Sequence, residues 1–243
     1  MTGALRRARP LLGTLVEVGA HGLHAERAVA AAFAEIETVQ ARLSRFEAGS
    51  DIARFNALAA GEQIAVHAHT QAVLRAAMRL HTATQGAFDI SLGSGADGWS
   101  LTGDVLLKSS AGTQLDLGGI GKGYAVDLAV RALQAQGCNE GWVNAGGDLR
   151  SFGPRGLALH LRDEAQGGAR PWGHLRDGAC ATSHYAAGSR SALLGGDGSG
   201  DGAPQYLSVL ADECLWADAL TKVAALGGHD AALREFGAVL HRH

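Results

Sequence analysis

Leu115-Asp116-Leu117-Gly118-Gly119-Ile120-Gly121-Lys122-Gly123-Tyr124-Ala125-Val126-Asp127 is the stretch on which the reading of this chain turns. A short apolar run predicts a strand over 114–117, the glycines predict a tight turn, and Val126, Ala129, Val130 and Leu133 predict a helix over 121–136. The free N–H groups at the start of such a helix attract phosphate, and a lysine there pairs with an anion. Two familiar nucleotide motifs fail on it. A P-loop needs Gly five residues before the Gly-Lys pair and Ser or Thr after the lysine, but Asp116 and Gly123 stand there. The dinucleotide fingerprint lacks its third glycine after Gly119 and Gly121.

Working outward, the 14–20 stretch alternates apolar and polar residues and predicts a strand. Val29, Phe33, Ile36, Val39 and Leu43 predict an amphipathic helix over 24–43. Ser50 and Asp51 start a short helix over 52–58, and 62–66 is a short strand. A helix over 70–84 ends at Gly86, a Gly/Ser/Asp-rich loop covers 91–103, and 105–108 is a strand. Beyond Gly137, strands are expected at 141–145, 148–152, 157–162, 179–182 and 206–211. Helices are expected at 215–226 and 230–236, and a last strand at 238–241. The run 195–203 is low-complexity. Strands and helices mix without a regular βαβ period, which predicts an α+β fold of mixed or antiparallel sheets packed with helices. The 243 residues suit one domain over 1–243, with the loop near residue 95 as the place where two lobes would part.

Composition narrows the function. Hydrophobic residues are 47% and charged residues 19%, an ordinary globular mix that excludes global disorder. A net charge of -3 gives no general basic field, which argues against nucleic acid as partner. No apolar run is long enough for a membrane span. Neither a signal h-region nor a lipobox is visible, so the chain as written is expected in the cytoplasm; removal of a leader would make it periplasmic or membrane-associated. The 3 cysteines form no CxxC pair, so no zinc knuckle or thioredoxin-type site is written. His67-x-His69 and His241-x-His243 lack a Cys or carboxylate at ligand spacing. No G-x-S-x-G elbow supports a hydrolase triad.

Three further segments carry polar groups. In 143–149, Asn144-Ala145-Gly146-Gly147-Asp148 reads as a turn between strands, or as backbone left open for a flat ring. Gly86-Ala87-Phe88-Asp89 reads as a turn behind a helix. In Ala217-Asp218-Ala219-Leu220-Thr221-Lys222, helical spacing puts Asp218, Thr221 and Lys222 on one face. Carboxylate plus hydroxyl suits an oxygen-loving cation such as Mg²⁺ beside phosphates; an Asp–Lys pair on a helix is the plainer alternative.

Taken together these segments resemble the FAD:protein FMN transferases, the ApbE-like flavin transferases. Leu12-Gly13-Thr14 is similar to the family's M-G-T opening, and Ser44-Arg45-Phe46 with Ser50-Asp51-Ile52-Ala53-Arg54-Phe55-Asn56 to its next stretch. Gly86-Ala87-Phe88-Asp89 matches G-A-[FM]-D, with Trp99 as the Trp that follows. The glycine-rich 116–124 signature, Asn144 to Asp148, Ala181-Thr182-Ser183 and Ala217 to Thr221 come in the family's order. The resemblance implies an ApbE-like fold and Mg²⁺-dependent transfer of FMN from FAD to a Thr or Ser hydroxyl of a target flavoprotein, releasing AMP. It implies that Leu12, Phe46, Ala87, Phe88, Asp89, Asp116 and Lys122 line the FAD site, with Leu194 as an apolar flavin contact. It implies that Gly119 through its carbonyl, Asp218 and Thr221 hold Mg²⁺, so that Asp218, Thr221 and Lys122 carry the catalysis. FAD cleavage by water and flavin binding without transfer are the alternatives on the same residues.

The sequence departs from the family pattern twice. The family has Thr four residues after the Asp; here that place is Lys222 and Thr sits at +3, so the lysine either displaces the metal or touches phosphate beside it. The family's H-x-x-[DN]-P-x-T-G stretch is replaced by residues 191–200, which have no His, Pro or Thr.

Overall fold

A computed structural model of the chain describes residues 3–162, 167–185, 205–227 and 230–243. Leu194 and the 195–203 run lie outside the described residues. In chain order the elements are β1 (Gly3–Leu11), β2 (Thr14–Gly22), α1 (Ala25–Leu43), α2 (Asp51–Asn56), β3 (Gln63–Ala65), α3 (Ala68–Ala83), β4 (Trp99–Thr102), β5 (Val105–Lys108) and α4 (Gly121–Ala135). There follow β6 (Glu140–Ala145), β7 (Asp148–Phe152), β8 (Leu157–Arg162), β9 (Ala169–Leu175), β10 (Gly178–Tyr185), β11 (Gln205–Ala211), α5 (Cys214–Leu226), α6 (Asp230–Glu235) and β12 (Val239–Arg242).

Seven strands form one antiparallel sheet in the order β1-β2-β6-β7-β10-β11-β12. Alternation along the central strands decides which face is covered. Val16, Val18 and Ala20 of β2 and Val143 and Ala145 of β6 are buried and belong to the main core, as the two-residue strand period requires. Three helices cover that face in the same order as the strands beneath them. α1 lies on β1 and β2, α4 on β6 and β7, and α5 on β10 and β11. Each brings an apolar stripe; that of α1 is Ala25, Ala28, Val29, Ala32, Phe33, Ile36, Val39 and Leu43. On the other face the β8–β9 hairpin closes a small cluster of Leu159, Leu175 and Cys180, packed with Leu149 and Leu210. A three-stranded sheet, β3-β5-β4, sits beside α2. The architecture is α+β with antiparallel sheets, as the mixed element order predicts.

Among the expected elements, the strand at 114–117 is not one. Leu115 spends its N–H and carbonyl on the Asn56 side chain, at 2.7 and 2.9 Å. The Gln114 N–H goes to Ser94 Oγ and that of Asp116 to the Ile90 carbonyl. These backbone groups are satisfied by a side chain and by loop residues rather than by a ladder. Conversely, β1, β4 and β9 are strands that the sequence pattern did not mark. β1 is rich in arginine, and its pairing to β2 makes it a strand: Arg6 bonds Glu17 across the ladder, and Arg9 reaches Glu37 on α1 at 2.9 Å. Among the described residues no helix is long and apolar enough to cross a membrane.

Candidate functional site

The glycine-rich stretch delivers the start of α4 to the start of α5. A Cβ on Gly123 would lie 2.2 Å from the Cys214 carbonyl oxygen, so only glycine allows this approach. Asp127, one turn further along α4, then receives the Cys214 and Leu215 N–H groups at 2.9 and 2.8 Å. It caps the N-terminus of α5 from a different helix, and Arg150 of β7 pairs with it at 2.6 Å. Burial raises the Asp127 carboxyl, against Arg150 and the two N–H groups.

This junction brings four charged side chains together. Lys122, on α4, contacts Asp148 at the start of β7 and lies 3.6 Å from Asp218 Oδ1. Lys222, one turn beyond Asp218 on α5, contacts the same Oδ1 and bonds the Asp218 carbonyl at 3.0 Å. Asp218 Oδ2 accepts the Gly123 N–H at 3.0 Å. The carboxylates are interior and the lysines reach outward: Asp148 and Asp218 side chains are 5% and 0% exposed, those of Lys122 and Lys222 30% and 27%. Burial opposes charge on Asp218, but Lys122 and Lys222 outweigh it and hold the carboxyl below its usual range. Burial, then the Asp218 charge, raises Asp148 despite both lysines. Burial opposes the charge of Lys122 as well, yet Asp218 and Asp148 raise it above the ordinary lysine range. An anion arriving at this place meets two fixed ammonium groups.

Thr221 turns away from that opening. It is fully buried; its hydroxyl donates to the Asp218 carbonyl at 2.8 Å and accepts from Ser183 Oγ of β10 at 2.9 Å. Gly119 lies next to Lys222 and Phe88: a Cβ there would be 3.8 Å from Lys222 Cε and from Phe88 Cε2. Phe88 is buried, its N–H bonded to Thr84 Oγ1 and its carbonyl to the His81 ring. Half-buried Ala87 joins the same turn. Both oxygens of Asp89 are used locally, by Ser91 and the Gly93 N–H.

A cavity of about 430 Å³ is lined by Arg45, Phe46, Asn56, Leu92, Gln114 and Asp116, among others; it meets the glycine-rich stretch at Asp116, which accepts the Gly118 N–H at 2.8 Å. Phe46 is 83% exposed, with the Arg45 guanidinium 4.7 Å from its ring and 3.4 Å from Asp116. A large exposed aromatic beside a cavity offers a stacking face. Leu12 is outside the cavity lining. It sits at positive φ in the β1–β2 turn, its N–H bonded to Gln40 at 2.7 Å, and Gln40 in turn bonds Glu47. The structure thus joins Phe88, Gly119, Lys122 and Asp218 in one place, and Phe46 and Asp116 in the cavity at the head of the glycine-rich stretch. Asp148, Arg45, Asn56 and Gln40 are the residues that motif reading passed over as site residues, although Asp148, Arg45 and Asn56 stand inside the quoted motifs.

The sequence pattern of the ApbE family matches residues 12–106 and 98–185. Two curated relatives are the FAD:protein FMN transferases of Vibrio cholerae serotype O1 (strain ATCC 39541 / Classical Ogawa 395 / O395) and of Rhodobacter capsulatus. The first is 27% identical over 147 residues, 49% of this chain and 44% of the relative; the second is 26% identical over 195 residues, 67% of this chain and 35% of the relative. The aligned part is therefore less than half the length of those relatives. The fold is that of solved flavin transferases. The apo form of Pseudomonas stutzeri flavinyl transferase ApbE superposes with TM-score 0.80 at 23% identity, covering 98% of this chain and 90% of that one. ApbE from Vibrio cholerae superposes with TM-score 0.83 at 20% identity, covering 100% and 94%. With the glycine-rich signature inside the matched residues and the whole fold shared, the chain belongs to the ApbE family.

Proposed function

We propose that this chain, acting over residues 1–243 as one unit, transfers FMN from FAD to a Thr or Ser hydroxyl of a target flavoprotein and releases AMP. The observation that carries the reading is the outward-facing pair Lys122 and Lys222. They stand over two buried carboxylates at a glycine-opened helix start, and a cavity with an exposed aromatic reaches Asp116 at the head of the same glycine-rich stretch. FAD has the matching parts: a diphosphate for the lysines, and a flat ring for Phe46. In the transfer, the acceptor oxygen bonds to the FMN-side phosphorus, the bond to the AMP phosphate breaks, and the hydroxyl proton leaves. Charge grows on the departing phosphate, and fixed cations stabilise it most in the transition state. The FAD lining in this reading is Leu12, Phe46, Ala87, Phe88, Asp89, Asp116 and Lys122.

Mg²⁺ calls for several oxygen donors in octahedral array. The Gly119 carbonyl, Asp218 and Thr221 are donors of the right chemistry. As packed, however, Asp218 Oδ1 carries the Lys222 ammonium, Oδ2 carries the Gly123 N–H, and the Thr221 hydroxyl is engaged by Ser183 and the Asp218 carbonyl. This donor set does not fit a divalent cation, and no step here runs through one.

The test is intact-mass spectrometry of a target domain bearing a D-x-x-[ST]-G-A-[ST] acceptor motif, incubated with the full chain and FAD. A target heavier by one FMN moiety, with matching AMP, is expected. Free FMN and AMP with an unmodified target would mean hydrolysis and overturn the transfer reading.

A further inference from the structure

The place where the reaction expects a metal holds a side chain of the protein itself. Lys222 bonds both the carboxylate and the main-chain carbonyl of Asp218, and its stem passes within about van der Waals reach of Gly119. Its ammonium therefore occupies the Asp218 carboxylate oxygen that a cation would use. The second carboxylate is likewise taken, by Lys122. Two lysines against two carboxylates make the cluster neutral, so a divalent ion would have to displace an ammonium and leave the cluster with surplus positive charge.

We infer that Lys222 is the resident cation of this site: its ammonium replaces a divalent metal on Asp218 and faces the diphosphate of the substrate, so that FAD is bound without metal. This rests on the flavin reading above for the identity of the ligand, but not for the exclusion of metal. Helical spacing supplies the device. Placing Lys one turn after Asp218 folds its ammonium back over the carboxylate, and the side chain still keeps 27% of its surface toward solvent for an incoming phosphate. A lysine is a point charge with three donors, so it satisfies the carboxylate and a phosphate oxygen at once.

Two measurements on the full chain decide it. The first is Mn²⁺ binding followed by electron paramagnetic resonance, for the native chain and for Lys222→Thr, with Lys222→Gln as a second variant and circular dichroism to verify folding. The native chain is expected to bind no stoichiometric Mn²⁺, and Lys222→Thr to gain a site. The second is FAD binding by calorimetry in EDTA and in Mg²⁺. The native chain is expected to bind equally in both; loss of the lysine is expected to weaken binding in EDTA by about tenfold or more, the value of one charge-assisted hydrogen bond, with Mg²⁺ restoring it in Lys222→Thr. Stoichiometric Mn²⁺ on the native chain, or FAD binding that EDTA abolishes, overturns the inference, whatever the variants do. A native chain that binds neither FAD nor Mn²⁺, while Lys222→Thr binds Mn²⁺, would sink the flavin reading and leave the metal replacement standing.

Discussion

Asp127→Asn tests the junction that builds the site. The carboxylate is 2% exposed and accepts two N–H groups from the first turn of α5, one on each oxygen, while Arg150 pairs with Oδ1. The amide is nearly the same shape but has only one acceptor oxygen. One helix N–H is left facing an NH₂ group, which costs about 1–3 kcal/mol for a buried donor. Removing the negative charge from the helix N-terminus costs about 0.3–1 kcal/mol more. The Arg150 partnership is mostly interior and adds to the loss, whereas relief from burying a charge offsets part of it. The net expectation is about 2–3 kcal/mol, between about a seventh and three-fifths of the stability typical of a domain. Urea unfolding followed by circular dichroism should show the midpoint fall at unchanged slope, and the thermal midpoint should drop by about 4–12 °C. A variant within about 0.5 kcal/mol of the native chain would refute the idea that Asp127 holds α5, and with it the account of how Asp218 is placed.

Gly123→Ala should destabilise the chain by about 1–3 kcal/mol, because the new methyl meets the Cys214 backbone. Gly112→Ala, where a methyl meets open space, should stay within about 0.5 kcal/mol in the same melts. Lys122→Ala removes the cation nearest Asp148 and should weaken FAD binding about tenfold or more; an unchanged calorimetric titration would take Lys122 out of the site. Asn56→Ala frees both backbone groups of Leu115 and should speed hydrogen exchange at the Leu115 amide, a result that unaltered protection would contradict. Burial and the neighbouring His67 hold His69 below the ordinary histidine range while its ring meets Tyr124 Oη at 2.9 Å. The unfolded chain then binds that proton more readily, so this contribution to stability is full above the ordinary value of 6.5 and is lost as pH falls through the lowered one. Thermal melts between about pH 5 and 7 should be flatter for His69→Gln than for the native chain.

Legibility differed from place to place for physical reasons. The buried helices were readable because each shows its apolar stripe in its own residues, as α1 does from Ala25 to Leu43. The Leu115 stretch has the composition of a strand, yet its partner is the single side chain of Asn56, fifty-nine residues away. Nothing local distinguishes that from a ladder. β1 failed in the opposite direction: its arginines hid it, and only the register with β2, which sets Arg6 near Glu17, makes them compatible with a sheet. The motifs identified Asp218, Lys122 and the glycines but not their pairing, since Asp148 and Arg150 meet α4 from β7, the strand packed beneath it.

The sequence by itself determined the α+β class, the main helices and most of the large sheet's strands, and the order of the motifs that mark the family. All of these depend on periodicity and spacing, which are local properties of the chain. Only the tertiary structure decided which charges meet. Asp127 caps a helix that begins eighty-seven residues later, Thr221 is spent on Ser183, and the Asp218 carboxylate is held between lysines from two helices. Lys222 could be read as displacing a metal or as standing beside it. The structure places its ammonium on the Asp218 carboxylate one helical turn away, while the packing of α5 against α4, through a position that only glycine can fill, brings Lys122 toward the same oxygen.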